Sequence, residues 1–309
     1  MGVKIPQILD TGSQMQLAAI TDEISQEFEY ALDVMLEYGV LGAELRGLWG
    51  TNISDLSDEQ VARAKKALAE RGMKTVGLAT PFFKCDLEPA KINQGEASGP
   101  MHLATARPLE KQMEMLQRCI RLAHIFETPL LRVFSFWNRE PLTPEIENQI
   151  VDSFAAPLKL AEQEGIVLGL ENEHACFIGT GIQAARVASA ISSPNFKIVW
   201  DPGNAFNADE NPFPVGYEAI KPYIIHVHVK DARMVETPEH GLQPKWCVIG
   251  EGEIDYAGQF TALKADAYNG HLSLETHFIP EKGSGQNGKG TPEDGSRLCL
   301  EALKKMLSH

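Results

Sequence analysis

No stretch of this 309-residue chain is long and apolar enough to span a bilayer, so a membrane is not expected as a partner. Cysteine is sparse. Cys85, Cys119, Cys176, Cys247 and Cys299 are scattered, odd in number and form no Cys-x-x-Cys pair. That pattern excludes a disulfide framework and a zinc–thiolate site, and points to a reduced, cytoplasmic setting. Met1 to Gln14 lacks a basic start followed by an apolar segment, so no secretory leader is expected. Basic residues are outnumbered, 28 against 42 acidic ones, for a formal net charge of −14. Such a surface repels a phosphate backbone, which makes nucleic acid a poor partner. A glycine-rich turn after the first strand is also missing. Thr21-Asp-Glu-Ile-Ser25 stands there, which argues against a doubly wound dinucleotide-binding sheet.

What is present is alternation. Apolar residues make up 43%, enough for a sizeable core. Strand-like runs are expected at Gln16–Ile20, Gly42–Leu45, Lys74–Ala79, Leu130–Phe136, Val167–Glu171, Lys197–Asp201, Ile224–Lys230 and Leu272–Glu275. Helical segments separate them. Ser57 to Gln60 is a capping-box pattern whose helix runs to Gly72. Thr143-Pro144 starts another helix, closed by Gly165, and Thr291-Pro292 starts the last. Eight strands with intervening helices predict an α/β fold, a (β/α)8 barrel spanning residues 1–309 as one domain, with 1–14 as an irregular extension. Three connections are long, at Phe82–Pro108, Asp231–Asp255 and Phe278–Thr291. The last contains the glycine-rich Glu281–Gly290, expected to be mobile.

Four of the strand-like runs end on a polar residue: Glu171, Asp201, His228 and Glu275. One such ending means little. Four on successive strands suggest side chains converging at one end of a barrel, where active sites of this architecture sit. Three carboxylates and an imidazole are an oxygen-rich ligand set for a divalent cation. Strand alternation puts His226, His228 and Lys230 on one face, Glu171 and Glu173 on one, and His271, Ser273, Glu275 and His277 on one. Arg132 and Arg46 face inward too, either toward substrate or paired with a barrel carboxylate such as Glu44. His226 and His271 lie deeper and read as structural. Lys230 is expected to reach substrate, with a pKa lowered by a neighbouring cation, or to be held by Asp231 or a rim glutamate. Nothing near Cys176 marks it as a nucleophile.

The motifs Leu170-Glu-Asn172, Asp201-Pro-Gly-Asn204, His226-Val-His-Val-Lys-Asp231, Gly250-Glu-Gly-Glu-Ile-Asp255 and Leu272-Ser-Leu-Glu-Thr-His277 occur in this order. Together they resemble the sugar isomerase/epimerase superfamily with a xylose isomerase-like TIM barrel. The resemblance implies one divalent metal ion, manganese, magnesium or cobalt, with zinc open, held by Glu171, Asp201, His228 and Glu275. It implies Glu171 and Glu275 as the pair that moves a proton through a metal-stabilised enediolate. Lys230 then joins them as a catalytic residue, and Arg132, Asn204, Glu173 and His277 are candidates for substrate binding. Two departures from ketose 3-epimerases stand out: Asn204 replaces a substrate-binding histidine, and Lys230-Asp231 replaces a Gly-Glu pair. The His-x-Lys-Asp form looks more like inosose dehydratase relatives. The implied activity is therefore a metal-dependent isomerase or epimerase of a small-molecule carbohydrate. The alternatives are a lyase acting on a keto-polyol such as an inosose and, remotely, an apurinic endonuclease-like nuclease. Homo-oligomerisation stays open.

Overall fold

Short apolar strands joined by helices bury both faces only if the strands pair in parallel with helices packed outside. The computed structural model describes residues 15–88, 108–238 and 241–308, and shows that arrangement. The barrel strands are β1 (Gln16–Ile20), β2 (Gly42–Leu45), β3 (Lys74–Ala79), β4 (Leu130–Val133), β5 (Val167–Glu171), β6 (Phe196–Trp200), β7 (Ile224–Val229) and β8 (His271–Leu274). They pair in sequence order and close, β8 against β1, with every pairing parallel. The chain is an α/β protein with a closed eight-stranded barrel, as its alternation predicts. No described helix is long and apolar enough to cross a membrane.

The helix signals hold locally. Ser57 caps Asp58–Glu70 with Gln60 completing the box, Thr143 caps Pro144–Ser153, and Thr291 caps Pro292–Leu307. The segment expected to be one helix from Pro144 to Gly165 is two, Pro144–Ser153 and Ala155–Glu164. Pro157 accounts for the break: it has no N–H, and its ring crowds the carbonyl four residues back, at Ser153. The connection Asp231–Asp255 is also more ordered than a loop. It holds an antiparallel hairpin, Asp231–Thr237 with Gly241–Cys247. The Glu281–Gly290 segment, expected to be mobile, is tied to the last helix. Asp294 Oδ2 accepts from Ser284 N at 2.8 Å and from the Ser284 hydroxyl at 3.1 Å. The expected extension 1–14 and most of the connection Phe82–Pro108 lie outside the described residues.

His271 opens β8 and is half-buried. Burial, and then the nearby His226, pushes its pKa from 6.5 down to about 4. The imidazole is therefore neutral in the fold at pH values where the unfolded chain would protonate it. Its contribution is fully present above pH 6.5 and is lost as pH falls toward 4. The loss is on the order of 1 kcal/mol per pH unit, reduced by its partial exposure to solvent. Urea unfolding at pH 7 and pH 5 should show a smaller drop for His271→Gln than for the wild type. Equal drops would refute the assignment.

Candidate metal centre

The barrel brings the four strand-end residues together. Glu171 ends β5, His228 lies next to last in β7, and Asp201 and Glu275 follow β6 and β8 by one residue. All four are buried, and each offers a donor atom such that these atoms lie within 4.8 Å of one another. His228 Nδ1 is central, 3.3 Å from Glu171 Oε1, 3.5 Å from Glu275 Oε2 and 3.8 Å from Asp201 Oδ2. Period-two alternation is the cause. Val227 and Val229 are buried outward against the helices, so His226, His228 and the following Lys230 turn inward.

Three cations are threaded through these carboxylates. Lys230 Nζ lies 2.8 Å from Asp201 Oδ2 and 2.7 Å from Glu275 Oε2. Arg46 reaches Asp22 at 3.0 Å, Glu23 at 2.5 Å and Glu275 Oε1 at 3.0 Å. Arg132 Nη1 lies 3.1 Å from Glu171 Oε2, and its Nη2 donates to the Ala79 carbonyl at 3.1 Å. The Lys230 pKa, expected to fall beside a bound cation, is set here by its protein neighbours. Burial pulls it down, but Asp201 and Glu275 outweigh that and raise it. Of the two expected holders, Asp231 or a rim glutamate, it is the glutamate, Glu275, that pairs with Lys230, together with Asp201. Arg46 pairs with a barrel carboxylate as expected, Glu275 in place of Glu44.

Burial raises the Asp201 carboxyl to about 6, with Lys230 offsetting only part of the cost. Burial also pushes Glu275 up, but Lys230 and His277 hold it well below the usual carboxylate range. Glu171 is lowered as well, burial being outweighed by Arg132 and His228. The His228 imidazole goes the other way. Burial disfavours its charge, and Glu44 and Glu171 more than restore it.

Hydrogen bonds lock the carboxylates in place. The Asn172 side chain clasps Asp201 from both sides: its Oδ1 accepts from Asp201 N, and its Nδ2 donates to Asp201 O, each at 2.8 Å. Asn204 N donates to Asp201 Oδ1 at 2.8 Å, and its Nδ2 donates to Glu171 Oε1 at 3.1 Å. Asn204 is 1% exposed, so it acts as a brace behind the carboxylates. The glycine of Asp201-Pro-Gly-Asn204 is explained by Lys230. A Cβ at Gly203 would stand 2.6 Å from Lys230 Cγ and 3.0 Å from its carbonyl oxygen. Tyr256 clamps the Lys230 backbone, donating to its carbonyl at 2.7 Å. Asp231 anchors the Gly250-Glu-Gly252 turn, accepting from the two glycine N–H groups at 2.8 and 3.0 Å.

Nearer solvent, Glu173 pairs with Lys84 at 3.2 Å and with His174 at 2.9 Å. The Lys84 ammonium also lies 4.4 Å over the Phe134 ring. His277 remains partly open to solvent. Its Nε2 is 3.3 Å from Glu275 Oε1, and its ring stands 5.5 Å from Trp246. Of the four residues expected at substrate, Glu173 and His277 are partly open, whereas Arg132 and Asn204 turn to Glu171. Asp22, Glu23, Lys84 and Asn172 belong to this constellation and were not singled out by sequence. Only Asn172 carried a signal, as the residue after a candidate ligand in a motif. Cys176 is buried, and burial pushes its thiol well up, consistent with an inert cysteine.

The donor set suits a divalent cation. Glu171 Oε2 and Asp201 Oδ2 are buried without a hydrogen-bond partner; Arg132 and Lys230 approach them as ion pairs but out of hydrogen-bond alignment. Carboxylate oxygens short of donors, beside an imidazole nitrogen, are what a hard to borderline cation satisfies. Two other groups are as compact, Glu23–Glu275–His277 and Glu44–His226–His228. In the first, Arg46 already lies on both carboxylates; in the second, Glu44 hydrogen-bonds both imidazoles.

Among curated proteins, the uncharacterized protein MJ1311 of Methanocaldococcus jannaschii is 31% identical over 140 residues, 44% of this chain and 45% of that one. The chain thus spans less than half the length of this curated relative. Solved structures extend the likeness to nearly the whole chain. The probable 3-DHS dehydratase AsbF, involved in petrobactin synthesis in Bacillus anthracis, superposes with a TM-score of 0.66 at 18% identity, covering 94% of this chain and 99% of that one. D-allulose 3-epimerase from Methylomonas sp., in complex with D-allulose, gives 0.66 at 17% identity, covering 95% and 98%. At such identities the likeness is one of fold. The family described as xylose isomerase-like TIM barrel matches residues 32–305, and the chain belongs to that family.

Proposed function

We propose that this chain is a metal-dependent isomerase or epimerase of a small sugar, keto-sugar or sugar derivative. The observation that carries the reading is the convergence of Glu171, Asp201, His228 and Glu275 within 4.8 Å of one another at the C-terminal end of the barrel. These four would hold one divalent cation, with manganese, magnesium and cobalt the best match to the donors. The cation, when bound, supplies Lewis-acid charge beside the carbonyl and hydroxyl oxygens of the substrate. Glu171 and Glu275 are both held ionised, and they stand on β5 and just past β8. One removes the proton from the carbon next to the carbonyl, and the other returns it, on the same or the opposite face. Arg132, Arg46 and Asn204 fix the orientation of the two bases. Glu173, Lys84 and His277 offer polar contacts for hydroxyl groups.

A second reading is a lyase that eliminates water from a keto-polyol. The buried Lys230 ammonium beside Glu275 favours it, because a fixed positive charge next to the base is placed to hydrogen-bond a leaving hydroxyl and stabilise the charge it develops. Both readings begin with the same proton removal. NMR in deuterated water separates them, using manganese-loaded protein that is freed of metal before the spectra, with a panel of keto-sugars and inososes. Deuterium entering next to the carbonyl with all hydroxyls retained supports isomerisation. Loss of a hydroxyl supports the lyase. No exchange and no product across the panel, with metal bound, would overturn both.

A further inference from the structure

Glu44 stands on β2 and touches β7, although β1 and β8 lie between those strands around the wall. Its carboxylate therefore crosses the barrel lumen. Oε2 lies 3.0 Å from His226 Nε2, and Oε1 lies 3.1 Å from His228 Nε2. All three side chains are at most 1% exposed. An ionised carboxylate can only accept, so each Nε2 facing it carries its hydrogen. For a neutral His228 this leaves the lone pair on Nδ1. That nitrogen is the one 3.3 Å from Glu171 Oε1 and 3.5 Å from Glu275 Oε2.

We infer that Glu44 is a positioning residue for the metal centre: by accepting the Nε2–H of His228 it commits Nδ1 to the cation, while His226 holds the other oxygen of Glu44 in place. The inference rests on the metal reading above. A carboxylate behind a ligating imidazole fixes its ring and tautomer and raises its donor strength. The sequence hides this arrangement, because Glu44 and His228 are 184 positions apart. The competing explanation is that the three side chains are merely a polar layer filling the barrel. A filling layer would leave metal affinity unchanged when its charge alone is removed.

Glu44→Gln removes the charge at constant size. Its manganese Kd, read from the EPR signal of free Mn2+, is expected to rise about 10- to 100-fold over the wild type. An unchanged Kd in a folded variant would overturn the inference while leaving the metal site standing. No Mn2+ uptake by the wild type would overturn the metal reading and this inference with it. A second measurement needs no variant. Histidine-selective 15N NMR of the magnesium-loaded wild type should show His228 protonated at Nε2 and bare at Nδ1. A proton on Nδ1 would reject the role of Glu44 even if Glu44→Gln fails to fold.

Discussion

Glu275→Gln is expected to lower kcat of the metal-loaded protein by about 10²- to 10⁴-fold, the usual worth of a positioned general base, with a smaller change in KM. The amide keeps the shape of the side chain but cannot take a proton. The geometry makes the effect larger than a simple loss of basicity. Glu275 Oε1 faces Arg46 and His277, and Oε2 faces Lys230 and His228. Each oxygen of this carboxylate faces a fixed cation, Arg46 on one side and Lys230 on the other, so the amide nitrogen must point at one of them whichever way it turns. Metal occupancy is measured alongside, since the residue is also a candidate ligand. Undiminished turnover in a fully loaded variant would place the base elsewhere, with Glu171 next in line.

Lys230→Met is expected to act twice. Without metal, Asp201 and Glu275 lose the ammonium that lies within 2.8 Å of both. Breaking a buried ion pair from one side costs about 3–5 kcal/mol, because the stranded charge stays buried. Saturating manganese should recover most of that loss, since a cation held by Asp201 and Glu275 replaces the missing charge. With metal bound, kcat should still fall about 10²-fold if the ammonium also meets substrate. Denaturant unfolding with and without manganese, followed by steady-state kinetics, separates the two effects. Unchanged metal-free stability would disprove the ion pair. Restored stability with normal kcat would leave Lys230 as a structural counter-charge and remove the main support for the lyase.

The barrel was legible because its signal is local. Each strand is an apolar run, and all eight lie within a few residues of their expected places. The four candidate ligands were legible for the same reason, each being a polar residue that ends such a run. What escaped has a common cause in contacts between distant positions. Asp22 and Glu23 sit on a short 3-10 turn, Thr21–Glu23, that no apolar pattern announces, and Arg46 joins them to Glu275 across 229 positions. Lys84 follows β3 in a connection with no periodicity, yet ends beside Glu173. Asn204 was expected to face substrate because of the motif it occupies. The helix that begins at Pro202 instead turns its amide back onto Glu171. For Lys230 the sequence offered Asp231 or a rim glutamate as a partner, and only the barrel's closure shows that Glu275 and Asp201 take that place.

The Asn172 clasp bears on which ions the proposed centre would accept. Two hydrogen bonds of 2.8 Å tie the residue after Glu171 to the backbone of Asp201, so the ends of β5 and β6 behave as one piece. The spacing of the backbone that carries those two carboxylates is thus set by the fold's own hydrogen bonds. In that proposed centre a braced backbone would act as a gauge of ionic radius. Magnesium and manganese, which take oxygen ligands at short and regular distances, are served by such a frame, whereas calcium asks for six to eight oxygens at about 2.3–2.6 Å and a looser cage.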